Sequence, residues 1–358
     1  MKHVSDVKMH LLMLKMANTN NQSIAILTGG DDDQAHSYTY NSIDDVTQFT
    51  EDSEVYDMVE KAFDIDYQGN VEVIVAPNKD VTPSGNLKAT PNSDGAKVSN
   101  QSINRFVYAL QQYAYDGFRL ITNASDVTEK DLETVTDFLY QLQKVFLFAQ
   151  FNKVADLQSL FNYSSLRQVT TSDKQNTVTG MVETHDRKPA VQVIAYGLAN
   201  APIDYEHIGN LPEMTEDDDL TSDDIQNIID AHGTCVYSKA GDQMLLQGKS
   251  FGDNYIDEFI NTTIVKSTYQ YSLQKELNGF KNNHFDDKTI GLLVERAEKV
   301  SSDLMSQGYF DEKPKVDKTP RAQVNPSLVT KRHYKGITIS APIATSIDTM
   351  DVFLNLTE

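Results

Sequence analysis

The chain has 358 residues, 39% of them hydrophobic and 23% charged, enough to bury one large core or two to three smaller ones. Its formal net charge of −21 and pI near 4.7 oppose nucleic-acid phosphate and anionic membrane surfaces, both of which recruit clustered Lys and Arg. The single cysteine, Cys235, excludes an intramolecular disulfide, and no window reaches the roughly 18–20 apolar residues of a membrane helix.

The N-terminus carries Leu11-Leu12-Met13-Leu14 flanked by Lys8 and Lys15, with no small-residue cleavage site after it. The expectation is a chain made and kept in the cytoplasm unless it leaves inside a particle. An acidic surface keeps such a chain soluble and self-repelling until specific contacts override the repulsion.

In chain order, Val7, Met9 and Leu11 alternate with Lys8 and His10, the period-2 mark of a strand with one buried face. After a polar break at 18–22, Ile24-Ala25-Ile26-Leu27 predicts a second strand ending at Gly29-Gly30. Ser42-x-x-Asp45 reads as the cap of a short helix, and Val55, Val59 and Phe63 mark a longer one entered at Ser53. Val71–Ala76 is a strand by its β-branched content. The Pro-, Asn-, Ser- and Gly-rich stretch of about 77–101 reads as a loop-rich insertion.

Residues 102–151 carry the strongest pattern. Ile103, Phe106, Val107, Leu110 and Ala114 form a helical face, and Phe118–Thr122 a strand. Asp126-x-x-Glu129 reads as a helix start, followed by Leu132, Val135, Leu139 and Leu142. Val145–Ala149 is an unbroken apolar strand. Alternating helices and fully apolar strands predict a central α/β unit whose parallel sheet is covered on both faces.

Further helices are expected over 186–200 and near Ser222–Ala231. Cys235–Ser238 and Met244–Gln247 predict a hairpin, and two long helices follow it, the second patterned by Ile290, Leu293, Ala297, Val300 and Leu304. Lys313–Pro326 reads as linker, and Ile337/Ile339 with Val352/Leu354/Leu356 as terminal β structure. No internal repeat is present.

Motifs for chemistry are weak. Asp31-Asp32-Asp33 and Glu216-Asp217-Asp218-Asp219 lack the alternation of a calcium loop and read as solvated charge, and His185-Asp186 and His284-x-Asp286-Asp287 belong to no zinc signature. Gly29-Gly30 follows a strand but is followed by three aspartates, which repel phosphate. Cys235 in its apolar run reads as a buried hydrophobe. An acidic α/β enzyme remains an alternative, with its site at strand ends near Thr122–Ser125 or Gln150–Lys153 and Asn123 or Asn152 as polar groups. No catalytic, metal or cofactor residue is assigned, and no cofactor is expected.

Several segments, taken in order, resemble the tail sheath family of contractile phages, in particular the sheath-like proteins of phages of Gram-positive bacteria. Asp6–Leu11 followed by Ser23–Leu27 is similar to the family's N-terminal arm and first core strand. Tyr40-Asn41-Ser42 through Val46, then Tyr56, Ala62 and Phe63, resembles its next region, and Gly117–Asn123 with Ala149-Gln150 its central βαβ. Gly248–Asp257 resembles a hairpin exit into a long helix, and Ile343–Thr349 with Val352–Leu356 the terminal strand pair. The stretches 77–99 and 163–185 stand outside the resemblance.

The resemblance implies a mixed α/β sheath-type core with a βαβ sheet flanked by helices and extended β arms. It implies an N-terminal assembly arm over 1–22, a core over 23–320, and a C-terminal β segment and arm over 321–358. The arms would be carried by Val7, Met9 and Leu11 and by Ile343, Val352, Leu354 and Leu356. Implied partners are other copies in helically stacked six-fold rings, the tail tube, and baseplate and terminator proteins, with neither nucleic acid nor membrane. The implied location is the virion tail, after assembly in the host cytoplasm, and the implied role is mechanical. A tube or baseplate component is the nearest alternative.

Overall fold

The computed structural model describes residues 23–82, 102–113, 120–167, 175–280 and 284–344. Its elements in chain order are β1 (Ser23–Gly29), β2 (His36–Tyr40), α1 (Glu54–Phe63), β3 (Asn70–Ala76), α2 (Arg105–Tyr113), β4 (Leu120–Asn123), α3 (Glu129–Leu142), β5 (Phe146–Phe151) and α4 (Val154–Arg167). There follow β6 (Val178–Val182), α5 (Pro189–Ala199), α6 (Ser222–Asp230), β7 (Val236–Lys239), β8 (Asp242–Leu245), α7 (Ile256–Gly279), α8 (Asp287–Ser306), β9 (Lys315–Lys318), α9 (Pro326–Thr330) and β10 (Ile337–Ser340). Backbone contacts divide the chain into two compact units, one up to Ile260 and one from Asn261, so the division falls inside α7.

The first unit is built on a six-stranded sheet of order β2-β3-β1-β4-β5-β6. All neighbours are parallel except β2, which runs antiparallel to β3 at the edge. Central strand β1 is buried along six of its seven residues, as a parallel strand covered on both faces must be. Its register puts Ile24 beside Val71 on one flank and Leu120 on the other. Helices α1 and α5 pack on one face, and α2, α3 and α4 on the other. On the latter side Phe106, Leu110, Leu132, Val135, Leu139 and Leu157 close over Ala25, Leu27, Ile121 and Leu147. This is the mixed α/β core expected from the 102–151 pattern.

Local chemistry explains most boundaries. Ser53 caps α1 by accepting from the Tyr56 amide. Thr128 caps α3 in a reciprocal box with Asp131, and Thr221 caps α6 in the same way with Asp224. The expected start at Asp126 is therefore displaced by two residues, and Asp126 instead accepts from Thr28 and Gly29 at the C-terminal end of β1. Ser42 opens only a single 3-10 turn and makes no side-chain cap bond. The β7–β8 hairpin turns through Ala240 and Gly241, both at positive φ (56° and 99°), the geometry that favours glycine in a two-residue turn.

In the second unit the Tyr269 hydroxyl on α7 meets Ser301 Oγ on α8 at 2.7 Å, and Ser301 in turn donates to the Ala297 carbonyl. Beyond α8, β9 and β10 form a separate antiparallel pair with Val316 opposite Ile339. The stretch read as linker over 313–326 therefore contains a strand. Arg321 ties this region back by donating to the Phe285 carbonyl and through its own amide to Asp287.

Candidate functional site

In open parallel sheets, ligands gather at the carboxyl ends of the strands where the strand order reverses. Here that point lies at β1, flanked by β3 and β4. The crevice is filled by the chain itself. Asp126 Oδ2 accepts from the Gly29 amide at 2.6 Å, and Asp126 Oδ1 from Thr28 Oγ1 at 3.2 Å. A Cβ at Gly29 would lie 2.6 Å from Asp126 Oδ2 and 3.0 Å from the Arg105 guanidinium, so a larger residue would push these side chains aside. The backbone N–H that would greet an anionic ligand already holds a carboxylate.

Beside it, a cleft of about 260 Å³ opens at the ends of β4 and β5, lined by Asn123, Ser125, Gln150, Lys153, Asp156 and Lys188 among others. This is where the sequence placed the site of an alternative enzyme. Asn123 and Gln150 face each other: the Gln150 amide donates to Asn123 Oδ1 at 3.0 Å, and Asn123 Nδ2 to the Gln150 carbonyl at 3.3 Å. Gln150 Nε2 reaches the Arg187 carbonyl at 2.8 Å, and its Oε1 accepts from the Ala190 amide at 3.4 Å. These amides staple the ends of β4 and β5 to the start of α5.

The charged part of the cleft is equally engaged. Lys188 is buried, with Nζ 2.8 Å from Glu54 Oε1 and 3.0 Å from Asp186 Oδ1. Burial works to lower its pKa, but the two carboxylates outweigh burial and hold it above the ordinary lysine value. The pairing favours the protonated form of this lysine. Glu54 also accepts from the Ser125 amide at 3.1 Å and from its hydroxyl at 2.5 Å. The lining contains no histidine or cysteine to activate Ser125. The arrangement is a clamp.

A second polar knot joins the loop after β6 to the acidic stretch 216–219. Asp217 is buried and accepts from the Thr184 amide (2.7 Å), the Thr184 hydroxyl (2.8 Å) and the Asp219 amide (3.1 Å). Burial alone would raise its pKa, yet these bonds and His185 hold it below the carboxylate range. Asp217 thus departs from the expectation of solvated charge, which Asp218 and Asp219 do meet. Glu183, 1% exposed, is pushed up by burial and partly restored by Arg187 at 2.8 Å. His185 Nδ1 lies 3.4 Å from both Glu183 and Asp217, so the three could gather round a cation. The Arg187 guanidinium already sits there, 3.3 Å from His185 Nδ1.

Of the residues proposed for the arms, Val7, Met9, Leu11, Val352, Leu354 and Leu356 lie outside the described residues. Ile343 lies within them and bridges Phe310 of its own chain, while the Ala344 amide donates to the Tyr309 carbonyl at 3.1 Å. Among the described residues the β9–β10 sheet has only two strands, leaving both outer edges open. The Glu54–Lys188 and Thr184–Asp217 contacts escaped the sequence reading because their members are 134 and 33 positions apart, with no spacing to link them.

No family model and no curated protein matches this chain. The fold is nevertheless a known one, shared with proteins of contractile injection systems. A chain of the extracellular contractile injection system PVC sheath complex, in its contracted state, matches with a TM-score of 0.64 at 10% identity, covering 99% of this chain and 96% of that one. A chain of the contracted anti-feeding prophage baseplate matches at 0.64 and 12% identity, covering 98% and 97%. A chain of the six-fold symmetrised anti-feeding prophage baseplate matches at 0.61 and 9%, covering 99% and 98%.

Proposed function

We propose that the chain is the sheath subunit of a contractile tail or injection device. It polymerises as stacked six-fold rings around an inner tube, and its contraction drives the tube through a target envelope. The observation that carries this reading is the end-to-end likeness to a chain of a sheath complex in its contracted state. The sequence resemblance to tail sheath proteins, drawn from separate residues, supports it. On this reading the partners are other copies of the chain, the tube, and the baseplate and terminator proteins. The subunit belongs to the assembled particle, after a period in the host cytoplasm. The clamped cleft at the sheet edge is structural on this reading, not catalytic.

The mechanical continuity would come from the arms, 1–22 with Val7, Met9 and Leu11, and the C-terminal arm with Val352, Leu354 and Leu356. A two-stranded sheet is marginal alone, and its open edges are templates for added strands. The β9–β10 pair is therefore the receiving sheet we favour. Since Ile343 pairs with its own Phe310, it anchors the arm, and the exchanged part begins beyond Ala344.

The test deletes residues 1–22 or 345–358 and examines the purified protein by negative-stain microscopy. Intact chain gives tubes or stacked rings; each deletion keeps its circular dichroism and urea midpoint but loses polymer. Tubes that persist after both deletions sink the arm mechanism, and a wild type that stays monomeric throughout sinks the sheath reading. A second reading, a sheath-like ring confined to the baseplate, draws on the two baseplate structures among the matches. Single closed rings that never stack would favour it.

A further inference from the structure

The charge of this chain is segregated. Between residues 189 and 238 there is no Lys or Arg, while the stretch 204–230 alone holds ten Asp and Glu. Its exposed members include Glu216, Asp218, Asp219, Asp223 and Asp230. All belong to the first unit, on the loop leading to α6 and on α6 itself.

The second unit holds the opposite. In a protein of net charge −21, the stretch 313–335 carries seven Lys and Arg against one Asp. Arg321 is engaged internally, and Lys315 pairs with Asp317. Lys313, Lys318, Lys331, Arg332 and Lys335 are exposed, and none makes an ion pair with a described carboxylate. The fold gathers part of this set. Lys318 lies opposite Ile337 in the β9–β10 ladder, and the Thr319 amide donates to the Gly336 carbonyl at 2.8 Å, which brings Lys318 and Lys335 to one end of the sheet. Lys331 and Arg332 stand in the turn that closes α9.

We propose that the basic 313–335 surface of one copy docks against the acidic 204–230 surface of the next. This rests on the sheath reading and names the surfaces that a subunit presents to its neighbour. Two different patches that fit each other make a head-to-tail contact, the kind that propagates as a helix when it does not close. Complementary charge steers the approach and fixes register, while the remaining acidic surface repels unspecific association. A second copy is the fitting partner because the chain itself supplies the complement in excess.

The experiment uses the full chain, two triple charge reversals and their equimolar mixture, followed by light scattering and negative-stain microscopy across salt. Wild type assembles most readily at low salt. Its assembly threshold rises about tenfold or more once the screening length falls to a few ångströms near 1 M salt. K331E/R332E/K335E assembles poorly, as does E216K/D223K/D230K; all six positions are exposed. An equimolar mixture of the two variants recovers polymer, because each then offers the other its missing complement. Reversals that assemble like wild type, or a mixture that fails to recover, overturn this contact while leaving the sheath reading intact. A wild type that forms no polymer at any salt overturns both.

Discussion

Replacing Lys188 by methionine tests the clamp most directly, because methionine keeps much of the buried stem and removes only the charge. The side chain is 7% exposed, its partner Glu54 27% and Asp186 96%. The Asp186 contact, on a carboxylate fully in water, contributes less than the Glu54 contact. The loss falls on Glu54, which keeps its bonds to Ser125 but loses its counter-charge in a part-buried position. Removing one partner of such a half-buried pair costs about 2–3 kcal/mol, below the range for fully buried pairs. For a unit of this size that is a melting shift of roughly 4–10 °C. Because the folded pKa of Lys188 lies above its unfolded value, the stabilisation is fully present below the unfolded value of about 10.4 and fades only as pH rises through the folded one. Urea titrations of wild type and K188M should therefore differ by the same amount from about pH 6 to pH 9. Adding E54Q to K188M should cost little more, since the stranded carboxylate is then gone. A K188M variant within about 0.5 kcal/mol of wild type would refute the clamp.

Asp217→Asn should destabilise the first unit by about 2 kcal/mol at neutral pH, since an amide oxygen replaces a carboxylate that accepts three bonds while its NH2 finds donors around it. The folded pKa of Asp217 is lowered, so its contribution is present above the unfolded value and lost as pH falls through the folded one; urea midpoints of the two proteins should converge below about pH 4. Cys235 is buried and its thiol is pushed up to about 12 by burial, with the nearby Asp217, Glu216 and Glu183 charges adding to the effect. Maleimide should leave it unlabelled in native protein near pH 8 and label it on addition of urea; rapid native labelling would contradict the packing.

The parallel sheet was legible because its strands are almost wholly apolar: Val145–Ala149 has no polar residue, and Val71–Ala76 has only Glu72, which is buried and accepts from the Ser37 hydroxyl. Helices with a clean 3.6-residue face, such as the one bearing Leu132, Val135 and Leu139, were equally plain. The edge strand β2 was missed, since His36-Ser37-Tyr38-Thr39-Tyr40 is polar and half-exposed and owes its extension to pairing with β3. Strand β6 was missed for another reason. Val178-Thr179-Gly180-Met181-Val182 is buried throughout, but Gly180 and two neighbouring threonines hide it, and Gly180 is there because a side chain would strike Leu157 and Phe151. The cleft's position was foreseen from strand ends alone, whereas its closure was not. Closure depends on Glu54, Asp126 and Lys188 arriving from three distant segments, which only tertiary structure brings together.

That closure bears on why an α/β sheet would suit a mechanical part. A doubly covered parallel sheet offers stiffness, but its reversal point leaves a crevice of unsatisfied N–H groups that in other proteins is filled by a ligand. Here Asp126 takes the Gly29 amide, and the Asn123–Gln150 pair with the Glu54–Lys188 pair ties three strand and helix ends together beside it. A subunit that must survive a change of neighbours without deforming gains from having no opening that depends on a bound molecule. On the sheath reading, motion then belongs to the contacts between copies. On that reading the proposed charged surfaces and terminal arms would break, slide and reform there while each sheet stays rigid.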